Sequence, residues 1–147
     1  MGFFTSLDIG ASGLTAQRLR MDTISQNIAN INTTRTEDGT PYRRREVIFE
    51  ERTGSDSFAS ALTDAGNKLT NGQGVRVSKI AEDSSEFKKV YDPGHPDADK
   101  DGYVSMPNVD IVTEMVNMIS ATRSYEANVT SINATKSMAV KALEIGK

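Results

Sequence analysis

The chain has 147 residues, 37% of them hydrophobic, no Trp, no Cys and a formal net charge of −3. That length suits one domain, or a small domain carrying extended arms around a thin core. The missing cysteines remove disulfides, thiolate metal sites and thiol nucleophiles together, and the mild net acidity favours neither nucleic acid nor an anionic membrane surface.

From Thr5 to about Ile31 the pattern predicts a helix. Leu7, Leu14, Met21 and Ile28 recur every seven residues, and Phe3, Ile24 and Ile31 occupy a second seam that Gly10 and Gln17 interrupt. Thr5 or Ser6 can cap its start, and about 27 residues at 1.5 Å each give a rod about 40 Å long. The opening stretch Met1 to Leu14 carries one charge, Asp8, and no Lys or Arg. It lacks the basic start and continuous apolar run of a secretory signal, so any export is expected to proceed without a cleaved leader. Apolar runs elsewhere are too short to cross a bilayer, and no direct membrane insertion is expected.

Residues 32–41 read as a loop with Asp38-Gly39 as its turn signal. Tyr42 to Glu50 reads as a strand with Val47 and Phe49 on one face. Residues 53–74 are rich in Gly, Ser, Thr, Asn and Asp and read as an exposed, flexible loop. Val75 to Ile80 suggests a second strand and Phe87 to Tyr91 a third extended piece, while Pro93 and Pro96 exclude a helix between Asp92 and Pro96. After Pro107 a long helix begins, with Asn108 as its expected N-cap and Asp110 and Glu114 near the positive end of its dipole. Nothing interrupts it before Gly146. One seam runs Met115, Met118, Thr122, Tyr125, Val129, Ile132, Lys136, Ala139, Leu143; a neighbouring one at Val112, Ile119 and Val140 is broken by Glu126 and Asn133.

The expected fold is mainly α with a small β-rich middle. Long N- and C-terminal helices pack as a coiled-coil-like hairpin around a central β-hairpin or extended segment. Two features favour assembly over an isolated hairpin: the helices are too long for so small a middle to cover, and their apolar residues spread over more than one seam.

Chemistry-bearing motifs are sparse. Asp97-x-Asp99-x-Asp101-Gly102 opens like an EF-hand loop, but Asn108 stands where the bidentate Glu belongs and the prolines forbid the incoming helix. A turn of solvated carboxylates is the favoured reading, with a calcium-binding module as the rival function. His95 is the only histidine, so no histidine pair or relay can form; no catalytic residue, metal site or cofactor is expected. Arg43-Arg44-Arg45 is followed at once by Glu46, Glu50 and Glu51, which would repel phosphate. Salt links to adjacent subunits are the expected use of these arginines.

The stretch Ile24-Ser25-Gln26-Asn27-Ile28-Ala29-Asn30-Ile31-Asn32-Thr33-Thr34 resembles the N-terminal signature of the flagellar rod and hook family, whose first helix closes on an Asn-Ile-Ala-Asn-x-Asn-Thr core. In most members a Gly and an aromatic soon follow; here Arg35 to Gly39 intervenes before Pro41-Tyr42-Arg43-Arg44. That departure is similar to proximal-rod members. So are Asp92-Pro93-Gly94-His95-Pro96-Asp97-Ala98-Asp99, Tyr103-Val104-Ser105-Met106-Pro107-Asn108-Val109, Glu114-Met115-Val116-Asn117-Met118-Ile119 and Arg123-Ser124-Tyr125-Glu126-Ala127-Asn128. The resemblance implies a structural subunit of the bacterial flagellar basal-body rod. Such a subunit is exported by the flagellar type III apparatus and assembles with itself and neighbouring rod proteins into a hollow shaft that transmits torque and conducts exported subunits. It implies a helical polymerisation core from 1–34 and 108–147, with 35–107 facing outward. Expected interface residues are Leu7, Leu14, Met21, Ile24, Asn27, Ile28, Asn30 and Asn32 on the first helix and its end, with Met115, Ile119, Tyr125, Val129, Ile132 and Leu143 on the last. Phe3 and Leu7 match the family's export pattern, although a staple or core role for Phe3 stays open. For the Asn run, helix-end capping is expected of Asn32 and intersubunit contact of Asn27.

Overall fold

The computed structural model describes residues 3–52 and 73–145. Helix α1 spans Phe3–Ala29, strands β1 to β4 span Arg45–Glu51, Val75–Glu82, Lys88–Tyr91 and Tyr103–Met106, and helix α2 spans Ile111–Ile145. The strands form two two-stranded sheets, β1 with β2 and β3 with β4. The mainly α class with a small β middle therefore holds. The expected flexible loop falls, apart from Gln73 and Gly74, outside the described residues.

Two compact units divide the chain. The described residues of the first come from 1–18, 49–78 and 123–147. Here α1 and α2 run antiparallel at close range: a Cβ on Gly10 would lie 2.8 Å from Ile132 Cγ1, and one on Gly13 would lie 2.9 Å from Asn128 Nδ2. Gly10, which looks like a flaw in an apolar seam, is a point of contact where any side chain would hold the helices apart. Gly74 at the mouth of β2 has φ +99°, and its Cα faces α1 with Ser12 Oγ where a Cβ would go. The Ser12 hydroxyl donates to the Ile9 carbonyl (2.7 Å) and accepts from the Val75 N–H (3.1 Å), tying the strand to the helix.

The second unit comprises 19–48 and 79–122. Its core is built from Ile24, Tyr42, Val104, Pro107, Val109 and Ala121. Strands β3 and β4 pair antiparallel, Lys88 opposite Met106 through Tyr91 opposite Tyr103. Their connection closes where the Asp92 N–H donates to the Gly102 carbonyl (2.9 Å), with Gly102 at φ +78°. Strand β4 was not expected: four residues ending before Pro107 carry too little alternation to be seen.

Local chemistry explains the remaining shifts of boundary. The chain leaves α1 at Ala29 because Asn30 folds its Nδ2 back onto the Gln26 carbonyl at 2.9 Å and accepts from the Thr33 hydroxyl at 3.2 Å. Capping thus falls to Asn30 rather than to Asn32, whose side chain is exposed. Strand β1 begins at Arg45 instead of Tyr42 because the Tyr42 N–H donates to the Thr33 carbonyl and the Arg44 N–H to Asn108 Oδ1. With Asn108 so occupied, the N-cap of α2 is Asp110, whose Oδ1 accepts the Thr113 N–H at 3.0 Å.

Candidate functional site

The deepest stripe of α1 is Gly13, Ala16, Thr23, Ile24 and Asn27, all buried. The heptad series Leu7, Leu14, Met21 and Ile28 is only half-buried beside it. Its N-terminal part is small, Gly13 and Ala16, because close backbone approach at Gly13, and not apolarity alone, decides what fits there.

In the second unit this stripe ends in a buried polar cluster. Asn27 is fully enclosed, at 0% exposure, and so is Glu114 in the first turn of α2. Asn27 Nδ2 donates to Glu114 Oε2 and to the Arg45 carbonyl, each at 2.9 Å. Its Oδ1 accepts from the Tyr42 hydroxyl and the Arg45 N–H, also at 2.9 Å. Glu114 Oε1 accepts from Arg44 Nε at 2.8 Å. Arg44 also pairs with Glu46 and, at 3.5 Å, with Asp83. Burial works against the Arg44 cation, but its hydrogen bonds to Glu46 and Glu114 outweigh that and hold its pKa above the ordinary value. Burial likewise pushes the Tyr42 hydroxyl up, against the opposing pull of Arg45, so it stays protonated and donating.

Two expectations are corrected here. Asn27 is not available for contact with a neighbouring subunit, because all four of its hydrogen-bonding positions are filled within its own chain. The arginines make internal contacts as well: Arg43 lies 4.4 Å over the Phe87 ring, Arg44 holds Glu114, and Arg45, still half-exposed, pairs with Glu82 at 3.5 Å. Ile24, at 5% exposure, is core. Nothing in the spacing announced that Glu114 would be enclosed; its place in the first turn reads equally well as a solvent-facing charge on the helix dipole.

A second surface is defined by what the chain leaves uncovered. On α2, Val112, Met115, Val116 and Ile119 are 52–67% exposed. Their spacing of three, one and three puts them on one helical face. Further along, Met138, Val140, Leu143 and Ile145 are also exposed. Tyr125, Val129 and Ile132 are half-buried, as are Leu7 and Asn30, while Phe3 is exposed at the first turn of α1 and stacks edge-on against Phe4.

The remaining chemistry is modest. Asp97 accepts from the Thr34 hydroxyl at 2.8 Å and so ties its loop to the one that follows α1, while Asp99 Oδ1 accepts the neighbouring Lys100 N–H. His95 Nδ1 accepts the Asp97 N–H at 3.1 Å. Among the described residues no three His, Asp or Glu side chains converge as a metal cage, and no helix is long and apolar enough to cross a membrane. A shallow groove in the first unit, between Phe4, Leu7, Asp8, Ile9, Arg52 and Gln73, offers one carboxylate and one guanidinium on apolar walls.

Comparison with known proteins matches the two helical ends. Residues 7–35 fit the family described as "Flagella basal body rod protein", and residues 100–145 that described as "Flagellar basal body rod FlgEFG protein C-terminal". The flagellar basal-body rod protein FlgC of Bacillus subtilis is 53% identical over 152 aligned residues, covering 100% of this chain and 100% of that protein. FlgC of Borreliella burgdorferi is 52% identical over 99% of this chain and 98% of its own, and FlgC of Salmonella typhimurium is 41% identical over 100% of both. The chain belongs to the FlgC family of flagellar basal-body rod proteins. As a FlgC-family member it is a structural subunit of the flagellar basal-body rod and assembles with other rod proteins. The two matched segments are also the two that meet in the buried cluster: Asn27 lies in one and Glu114 in the other.

Proposed function

We propose that this rod subunit joins its neighbours through the helical faces its own fold leaves bare. The observation that carries the reading is the stripe Val112, Met115, Val116 and Ile119. Four large apolar side chains at helical spacing, more than half exposed, form a surface that needs a cover. Leu143 at 75% exposure extends the same demand towards the C-terminus. Leu7, Leu14, Met21, Ile28, Asn30, Asn32, Tyr125, Val129 and Ile132 keep part of their surface free and complete the interface; Asn27 and Ile24 contribute from inside, by shaping the helix pair.

On this reading residues 1–34 and 108–147 form the polymerising core, with 35–107 facing outward, and the assembled rod transmits torque and conducts later subunits. Export through the flagellar type III apparatus uses the N-terminal segment, with Phe3 and Leu7 as the export pattern. The role is structural, not catalytic: the histidine supports its loop, the Asp97 carboxylate ties that loop to Thr34, and the Asp99 carboxylate serves a local turn. The test is a chromosomal deletion complemented by the native chain or by Val112→Asp with Ile119→Asp, scored for motility and for rods in purified basal bodies. Restoration by the native chain alone is expected. Normal rods from the doubly substituted chain would place the interface elsewhere.

A further inference from the structure

Both groups that face Glu114 are donors: Arg44 Nε towards Oε1 and Asn27 Nδ2 towards Oε2. Only a carboxylate supplies two acceptors in that space; a glutamine would turn an amide N–H against one of them. Asn27 is equally exacting, with two donations and two acceptances all satisfied. Sliding α2 along α1 by one turn would displace Glu114 by about 5 Å from these donors. The result is a buried carboxylate without partners, whereas an apolar pair would tolerate the slip. Buried ion pairs add little net stability over apolar side chains of similar volume, but a polar group at a helix seam does specify alignment.

We propose that Asn27, Arg44 and Glu114 are positioning residues that fix the axial register of α1 against α2 in the second unit. This rests on the assembly reading above, since register decides which α1 side chains stand beside the stripe of Val112, Met115, Val116 and Ile119.

The chain has no cysteine, so introduced pairs report register without interference. The Thr122 hydroxyl lies 3.6 Å from Met21 Sδ, which makes Met21→Cys with Thr122→Cys the in-register pair. Met21→Cys with Met118→Cys samples a slip of one turn. Oxidative trapping of the dilute full-length chain should favour the first pair. Replacing the ion pair by Arg44→Met with Glu114→Leu should leave a cooperative thermal transition while the trapping ratio falls by about tenfold or more. Val109→Ala, which weakens the same core without touching the cluster, should keep the native ratio. An unchanged ratio in the Arg44→Met, Glu114→Leu chain overturns the proposal, as does an equal fall in Val109→Ala, which would reduce the cluster to stability alone. Should the double replacement fail to fold, Glu114→Gln decides by the same ratio: a fall supports register control and a native value overturns it. Because trapping is read on the monomer, its outcome is independent of whether the stripe variants assemble.

Discussion

Gly10 and Ile132 meet so closely that a Cβ on the glycine would stand 2.8 Å from Ile132 Cγ1 and 3.1 Å from its Cδ1. The obstructing atom is a β-branched side chain's inner carbon, held stiff at χ1. Alanine normally gains about 0.5–1 kcal/mol over glycine inside a helix, but overpacking costs about 1–3 kcal/mol, so Gly10→Ala should lower stability. At Gly13 the obstruction is the terminal amide of Asn128, which can turn aside. Gly13→Ala should therefore be near neutral. Thermal melts of the two variants measure the difference, and equal shifts would count against close approach at Gly10.

Within the buried cluster the hydrogen bonds differ in what they leave behind. Tyr42→Phe removes one donor to Asn27 Oδ1, but the Arg45 N–H remains, so the loss should be about 1 kcal/mol. Asn27→Asp replaces the donating amide with an oxygen facing Glu114 Oε2 and the Arg45 carbonyl. An uncompensated buried charge of that kind costs about 3–5 kcal/mol. Urea titrations should rank the two accordingly, and a mild effect of Asn27→Asp would mean that the cluster is open to water.

Asp110 gives the fold a dependence on acid. Its hydrogen bond from the Thr113 N–H, helped by Lys88, lowers its pKa below the ordinary 3.8. A carboxyl with a depressed folded pKa contributes stability that is fully present above its unfolded value and is lost as pH falls through the folded one. Asp110→Asn keeps a capping oxygen without the charge. Compared with the native chain, it should be modestly less stable at neutral pH, where the charge contributes in full, and show a shallower loss of stability below about pH 4, so that the two chains converge in acid. Parallel acid titrations followed by circular dichroism check this; identical acid slopes would remove Asp110 from the account.

Much of the architecture was legible because it is punctuated. Long stretches without Pro and with apolar periodicity mark α1 and α2, and Asp38-Gly39 and Pro93 to Pro96 mark the breaks. What escaped notice follows from properties that apolar patterning does not encode. The inner line of α1 is defined by smallness at Gly13 and Ala16, not by the larger Leu7 and Leu14 beside it. Asn108 and Asp110 are both good caps on local grounds, and only the tertiary pull of the Arg44 N–H on Asn108 settles the choice. Glu114 looks like a surface charge until Asn27 and Arg44 converge on it from residues 87 and 70 positions away in the chain.

The exposed stripe separates assembly from folding, and this separation is the sharpest consequence of the assembly reading. Val112 and Ile119 are 67% and 52% exposed, so a polar side chain at either should change monomer stability by no more than about 0.5–1 kcal/mol. Covered by a neighbour, the same positions would bury a charge against apolar surface, and the defect would recur in every subunit of the polymer. Val112→Asp and Ile119→Asp should therefore melt like the native chain yet fail to build rods. Val109→Ala makes the opposite case, since Val109 is 2% exposed. Losing two buried methyl groups there should cost about 2 kcal/mol in the monomer while leaving the stripe intact. Melting temperatures of purified chains, set beside motility of the complemented deletion strain, place each variant on both axes. If the stripe variants swim normally, that face is not the assembly surface; if they fail to fold, it is not a free one.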